Sequence, residues 1–481
     1  MDRTFTMTTE IPASILTPDS VETRLGTLRF FDGFPDEETV RTVYDNLDFQ
    51  RAVQAYLTAM PAASMSAIRT GTRAFCPDNE TVLIADTLLD SRSLVLTANS
   101  ETVYVTNWLD THDGPLVVDV PPRMLGMIDD SWSRYVTDFG APGPDRGQGG
   151  RYLLLPPGWA GDVPDGYFVV RPRTYGHVMF ARAFMEHGDP QPAAESIRAG
   201  FRIYPLAAAS DPPPTRFVEM SGAPLAAVFA SDASYFEQVA ALVHDEPLDA
   251  VDPETRGSLA SIGIRKDAPF APDARMRAIL DEAAAVGNAT ARALAFATRN
   301  REAYAYPDSA WKVPWIDNDY TFSPGGVLDI DARVTFFYPV FGISPAATWK
   351  MVGIGSQYVV CERDATGRYL DGGKAYRLHL PPGIPAKDFW SVTVYDPQTR
   401  SMLQTDQRFP AMGSQHAGLE VDSDTSADVY FGPEPPAGHA GSWVQTLPGK
   451  GFFLMLRLYG PLEPWFDGTW RPGEVEAVDL S

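Results

Sequence analysis

The stretch LDGGKAYRLHLPPGIPAKDFWSVTVYDPQTRSMLQTDQRFP, Leu370 to Pro410, decides the fold class. Tyr376, Leu378 and Leu380 alternate with Arg377 and His379; after a Pro-Pro-Gly break, Trp390, Val392 and Val394 alternate with Ser391, Thr393 and Tyr395. Successive side chains on a strand point to opposite faces, so this is the pattern of two strands that each bury one face. Trp390 belongs to the core face. Thr393 and Tyr395 belong to the other.

Working outward, the same grammar continues. QYVVCERD precedes the stretch, behind a helix capped near Ser344, and ADVYFGPEPP and GFFLMLRLYGPL follow it. From Leu94 to Phe184 a second series of short extended runs, among them GPLVVDVPP, GRYLLLPPGW and YGHVMFARAF, is punctuated by Gly, Pro and Asp, the signature of a β-sandwich. Between the two series, segments such as SYFEQVAALVHDE and MRAILDEAAAVGNATARALAFATRN have the three-to-four apolar spacing of helices. Near the start, Asp36 and Asp48 stand as N-caps of two helical runs. The expected fold is therefore α+β and β-rich: two antiparallel β-sandwich (jelly-roll-like) domains with a helical lead-in and a helical insert between them. The expected boundaries are a flexible arm over 1–35, lead-in 36–75, first sandwich 76–188, insert and crossover 189–324 and second sandwich 325–481.

The two β series echo each other. GPLVVDVPP leads to WSRYVTD and KAYRLHLPP leads to WSVTVYD, each with Trp six residues before Asp; Arg182 and Arg457 follow in the later apolar runs. Two related sandwiches should then pair Trp132 with Trp390 and Arg182 with Arg457.

Composition narrows the partners. With 481 residues, 44% of them hydrophobic, the chain can fill more than one core. A net charge of −23 repels nucleic acid and suits a neutral or cationic small-molecule ligand. Cys76 and Cys361 are far apart, without a CxxC, and read as two buried thiols. No apolar run reaches the length of a signal peptide or membrane span, so the expectation is a cytoplasmic protein with no membrane partner. The seven histidines show no HxH, HxxxH or HExxH, and neither P-loop, GxGxxG nor GxSxG occurs. No metal and no cofactor are expected.

The run Asn99-Ser-Glu-Thr-Val-Tyr104 is the best candidate for chemistry. Strand alternation puts Asn99, Glu101 and Val103 on one face and Ser100, Thr102 and Tyr104 on the other. In the catalytic reading Glu101 is the acid or base, with Tyr104 and Arg134 beside it; Asn99, Trp132, Arg182 and Arg457 bind substrate. In the structural reading Glu101 pairs with Arg134 or Arg182, while Arg182 and Arg457, set in apolar runs, pair with Asp138, Asp396 or Asp467. Two function classes stay open: an enzyme using acid–base, hydrolytic-type chemistry on a small molecule, or a non-catalytic carbohydrate or small-molecule binder or homo-oligomeric assembly protein on jelly-roll-like sandwiches.

From about Tyr44 to Val478 the chain resembles the bacterial and fungal family that pairs domain of unknown function 1254 with domain of unknown function 1214. The resemblance is carried by NSETVY, by Trp132 and Arg134, by SPAATWKMVGIGSQY, DFWSVTVYD and TRSMLQTDQRFP, and by FLMLRLYGPLEPWFDGTWRPG. It departs at Ser423 to Ala427, where relatives commonly have Asp-Gly-Ser, and at Ser442, where they commonly have Asn. The resemblance implies architecture and no catalytic signature.

Overall fold

The computed structural model describes residues 7–479, the Asp317 side chain excepted. Residues 1–6 of the expected flexible arm lie outside the described residues; further along that arm, β1 (Ser20–Thr23), β2 (Gly26–Phe31) and β3 (Phe34–Pro35) pair into a small antiparallel sheet. Asp36 caps α1 (Glu37–Thr58), accepting the Thr39 amide at 2.7 Å, as expected. Asp48 caps nothing. It lies inside α1, where a cation from another helix, Arg275, takes its carboxylate at 2.8 Å. Helix α2 (Met60–Arg73) completes the lead-in.

The first β unit comprises β4 (Thr81–Ala85), β5 (Thr102–Asp110), β6 (Leu116–Val120), β7 (Met124–Asp130), β8 (Tyr135–Gly140), β9 (Gly150–Leu154), β10 (Phe168–Val170) and β11 (Gly176–Phe184). After α3 (Gln191–Gly200) it takes back β12 (Arg202–Pro205) and β13 (Arg216–Glu219), so its sheets run past the expected boundary at residue 188. The strand orders are β13-β4-β5-β11-β7-β8 and β10-β9-β6-β12. Val103, Val105, Ile128 and Met179 of the first sheet share one core with Val118, Leu154 and Ile203 of the second. Helices α4 (Ser234–Asp245), α5 (Pro253–Ser261), α6 (Ala274–Phe296), α7 (Ile330–Phe337) and α8 (Pro345–Thr348) follow.

The second unit contains β14 (Ser356–Cys361), β15 (Ala375–Leu380), β16 (Ala386–Tyr395), β17 (Ala411–Gly413), β18 (Ala427–Gly432), β19 (Trp443–Gln445) and β20 (Phe453–Pro461), then α9 (Glu463–Phe466) and β21 (Val475–Val478). Its orders are β14-β20-β16-β17 and β19-β18-β15-β21. Trp390, Val392 and Val394 face Leu378, Val429 and Val475 in one core, as the opening alternation requires. The architecture is α+β with mostly antiparallel sheets. The exceptions to the all-antiparallel expectation among the named strands are the parallel edge pairs β9/β10, β4/β13 and β18/β19.

Both units follow one plan: β5 through β12 correspond in order to β14 through β21, down to the parallel pairs β9/β10 and β18/β19. Arg182 on β11 and Arg457 on β20 occupy matching central strands, and each stands opposite a tyrosine, Tyr104 on β5 and Tyr358 on β14. The tryptophan half of the expected echo is wrong. Arg182 is opposite Leu125 and Arg457 opposite Ser391, so Trp390 corresponds to Met124, while Trp132 sits in the β7–β8 turn. In this register Asp130 and Arg134 match Asp396 and Arg400. Alternating runs are short and converge easily, so a shared Trp-Ser pair slid the alignment.

The helices form a layer that covers what the cores leave. Tyr56 of α1 stacks on Tyr235 of α4 at 3.9 Å between ring centroids. Their core also takes in Tyr104, Trp108 and Val178 from the larger sheet of the first unit and Tyr395, Phe453 and Met455 from β16 and β20. Strands β5, β11, β16 and β20 are therefore buried on both faces. No helix among the described residues is long and apolar enough to cross a membrane.

Cys76 and Cys361 are both free and buried, in line with the two-thiol reading. Burial pushes the Cys76 thiol up to about 11 and raises Cys361 as well. In the native protein neither should react with an aromatic disulfide reagent over minutes at pH 8; in denaturant both should react.

Candidate functional site

Where the outer faces of the two β units meet lies a cavity of about 130 Å³. Tyr104, Arg182 and Arg457, three of the residues singled out in the sequence, line it together with Tyr358 and Ser356. Phe180, Phe341, Met127, Met455, Leu96 and Trp315 supply apolar walls. The strand pairing explains the convergence. Arg182 and Arg457 are outward-facing residues at the centres of the duplicated sheets, and the interface brings those centres face to face.

The two arginines differ in their partners. Arg457 spends both terminal nitrogens on the protein: Nη1 donates to Thr393 Oγ1 at 3.1 Å and Nη2 to the Thr97 carbonyl. Arg182 donates from Nη2 to Ser356 Oγ at 3.0 Å and Tyr358 Oη at 3.3 Å, and its guanidinium lies 5.3 Å from the Tyr459 ring centroid. Among the described residues neither forms an ion pair with a carboxylate, so the expected pairing with Asp138, Asp396 or Asp467 is not made. Those acids are otherwise engaged, Asp138 with Ser344, Asp396 with Lys450 and Asp467 with Thr469. Arg182 also has the Tyr104 phenol within hydrogen-bonding reach, and its side chain borders the cavity.

The tyrosines are tuned apart. Burial raises the Tyr104 phenol, with Arg182 and Arg457 only partly offsetting it. At Tyr358 burial also works upward, but the charge of Arg182, its hydrogen bond, the charge of Arg457 and a hydrogen bond from Ser356 together outweigh it and hold the phenol below its ordinary value. Tyr104 thus holds its proton more firmly than a free phenol, and Tyr358 less firmly.

Glu101 and Asn99 stand beside the cavity without lining it. Strand β5 starts only at Thr102, because the Asn99 side-chain oxygen accepts the Glu101 amide at 3.1 Å and turns the chain there. The expected shared face of Asn99, Glu101 and Val103 therefore does not exist: Val103 is in the first core, whereas Asn99 donates to Tyr459 Oη at 2.7 Å across the interface. Glu101 accepts from Ser100 at 2.9 Å and from Ser391 at 3.2 Å, and pairs with neither Arg134 nor Arg182. Its role is to join the units. Glu101→Gln should cost about 1.5–3 kcal/mol by urea unfolding, the scale of hydrogen bonds to a charged group.

Arg134 and Trp132 lie elsewhere. Arg134 is clamped by Asp130 at 2.7 Å and the Ala250 carbonyl at 2.6 Å, and Trp132 packs in the helical core. Neither reaches the cavity. Ser356, Tyr358 and Trp315 were not singled out from sequence. The missed signal for Tyr358 was available in the echo, since it is the counterpart of Tyr104. Among the described residues no group of His, Cys, Asp and Glu could hold a metal ion.

Fold and site define a class: an α+β protein of two like β units and a helical layer, with a cationic, phenol-lined cavity between the units. The chain belongs to the proteins that carry DUF1254 ahead of DUF1214, both described as proteins of unknown function, matched at residues 79–205 and 355–463. The VPA0106 protein from Vibrio parahaemolyticus has a similar crystal structure, at 18% identity and a TM-score of 0.55, covering 90% of this chain and 100% of that one. An uncharacterized protein from Burkholderia cenocepacia aligns at 12% identity and a TM-score of 0.41, over 91% of this chain and 96% of that one. The first of these likenesses concerns fold alone. No curated protein matches the chain.

Proposed function

We propose that this protein binds a small organic monoanion, a carboxylate with a compact apolar body, in the cavity between its two β units. The observation that carries this reading is Arg182, a cation deep in the protein that borders the cavity among phenols and hydroxyls, with no carboxylate paired to it among the described residues. A buried cation needs an acceptor, and a carboxylate is the acceptor whose geometry matches a guanidinium fork. The occupant is anionic, in place of the neutral or cationic one expected from net charge, because the nearby side chains, not the surface total, set the potential in a cavity. The volume, about 130 Å³, is close to that of the roughly 150 Å³ cavity that holds one benzene ring.

The test is calorimetric titration with benzoate, cyclohexanecarboxylate and benzylamine. The two carboxylates should bind and the amine should not. Arg182→Met should weaken carboxylate binding about 10–100-fold, in keeping with hydrogen bonds to a charged group worth about 1.5–3 kcal/mol. Benzylamine binding as tightly as benzoate would sink the reading.

The contrast between Tyr358 and Tyr104 supports acid–base chemistry on the bound anion, with Tyr358 taking a proton and Tyr104 giving one. On this reading Tyr358→Phe retains carboxylate binding and abolishes turnover. A pocket between the units where two arginines and two tyrosines converge, unlike an aromatic shelf on a jelly-roll-like sandwich, favours this reading over carbohydrate binding or assembly.

A further inference from the structure

One wall of the cavity is not part of either sheet. Residues 340–356 run from the end of α7 into β14, and Val340, Phe341, Gly342, Ser344, Ala346 and Ala347 of this strap line the cavity. Near its ends are glycines in the left-handed region, Gly342 at φ 87° and Gly353 and Gly355 at 75° and 73°, where other residues are strained. Between them the only regular structure is the four-residue α8.

Two buried carboxylates of the first unit hold this strap. Asp129 Oδ2 accepts the Ile343 amide at 2.6 Å and Asp138 Oδ2 accepts the Ser344 hydroxyl at 2.9 Å. The other oxygen of each, Oδ1, is buried without a partner. The groups facing them add no positive charge. Asp129 is beside Asp130 and Asp138, and Asp130 already serves Arg134. Asp138 has Tyr135 on its own strand, whose hydroxyl accepts the Asp138 amide at 3.1 Å, and it repels ionisation of Tyr152 on β9. Two acids share an enclosure with one hydrogen bond apiece, which is unfavourable when both are ionised.

We propose that the 340–356 strap is a proton-controlled gate of the anion cavity, latched to Asp129 and Asp138 and released when Asp138 gives up its proton to water. Lifting the strap removes Ser344 and lets water reach Asp138. Burial raises the Asp138 carboxyl to about 7 in the closed form, against 3.8 for a hydrated aspartate. The closed form therefore binds the extra proton between those values. By linkage the latch is strongest below about pH 4, and opening rises by up to tenfold per pH unit until the closed form itself ionises near pH 7, above which it levels off. A cytoplasm or a medium near neutrality keeps the gate loosest, and acidification traps the anion.

That the gate serves an anion rests on the reading above, but whether the strap opens does not. The test is hydrogen–deuterium exchange of the ligand-free protein at pH 5, 6, 7 and 8, corrected for the intrinsic base-catalysed rate. Protection of the 343–354 amides should fall about tenfold from pH 5 to 6, about fivefold from pH 6 to 7, and then flatten, while β20 stays constant. In Asp138→Asn, a near-isosteric stand-in for the protonated acid, strap protection should stay at its acid level throughout. Strap protection independent of pH in the unmodified protein, or the same pH dependence in the variant, overturns the latch even if benzoate binds as proposed. Failure of benzoate to bind leaves the exchange result to stand on its own.

Discussion

Trp390→Ala is expected to lower stability by about 3–5 kcal/mol, the usual cost of deleting a large aromatic side chain from a core. Trp390 is 6% exposed and packs with Val392, Val394, Leu378 and Leu456 between the two sheets of the second unit. One edge of the ring borders a cleft that also touches Ser414 and His416, so water can enter part of the space left behind. The loss should therefore fall in the lower half of that range. It reads as a drop in the urea midpoint with an unchanged slope, and it should exceed the loss from Glu101→Gln. A midpoint within experimental error of the parent protein would mean that this face of β16 is not core.

Lys312→Met is expected to cost as much or more. Lys312 Nζ lies 2.7 Å from Glu362 Oε1 with both side chains 6% exposed, and it also donates to the Ala295 carbonyl at 2.6 Å. The second oxygen of Glu362 has no partner, so without the lysine the carboxylate is buried alone, a situation that costs about 3–5 kcal/mol. Burial is the largest influence on Glu362 and raises its carboxyl even with the lysine present. A raised carboxyl binds its proton more tightly in the folded than in the unfolded chain, so stability falls as pH rises through and above the unfolded value near 4.5. The variant should accordingly be worst at pH 8 and recover in part at pH 5, and adding Glu362→Gln should remove the pH dependence. A loss equal at both pH values would show that packing, not the stranded charge, is what Lys312 supplies.

The cavity shows where reading the chain worked and where it stopped. Arg182 and Arg457 were legible because a cation in an apolar run needs an acceptor. What they needed it for was not, since the carboxylates nearest in sequence logic, Asp138, Asp396 and Asp467, turn out to be engaged by Ser344, Lys450 and Thr469. Glu101 was misplaced because an Asn99 turn interrupts the alternation one residue before β5 begins. Arg134 was misassigned because an ion pair four residues back, with Asp130, leaves no trace in strand periodicity.

By itself the sequence determined what local chemistry controls: which segments are strands, that Trp390, Val392 and Val394 share a buried face, that Asp36 starts a helix, and that the β series is used twice. These follow from backbone sterics and a two-residue or 3.6-residue period, and they need no knowledge of the partner surface. Only the tertiary structure decided that the outer faces of β11 and β20 meet, that Tyr358 lies within reach of both arginines, and that the 340–356 strap closes the space between them. Strand alternation says that a face is polar or apolar. What it faces depends on how two preformed layers dock, and the residues that settle docking, Asn99 on Tyr459 and Glu101 on Ser391, are 360 and 290 positions apart in the chain.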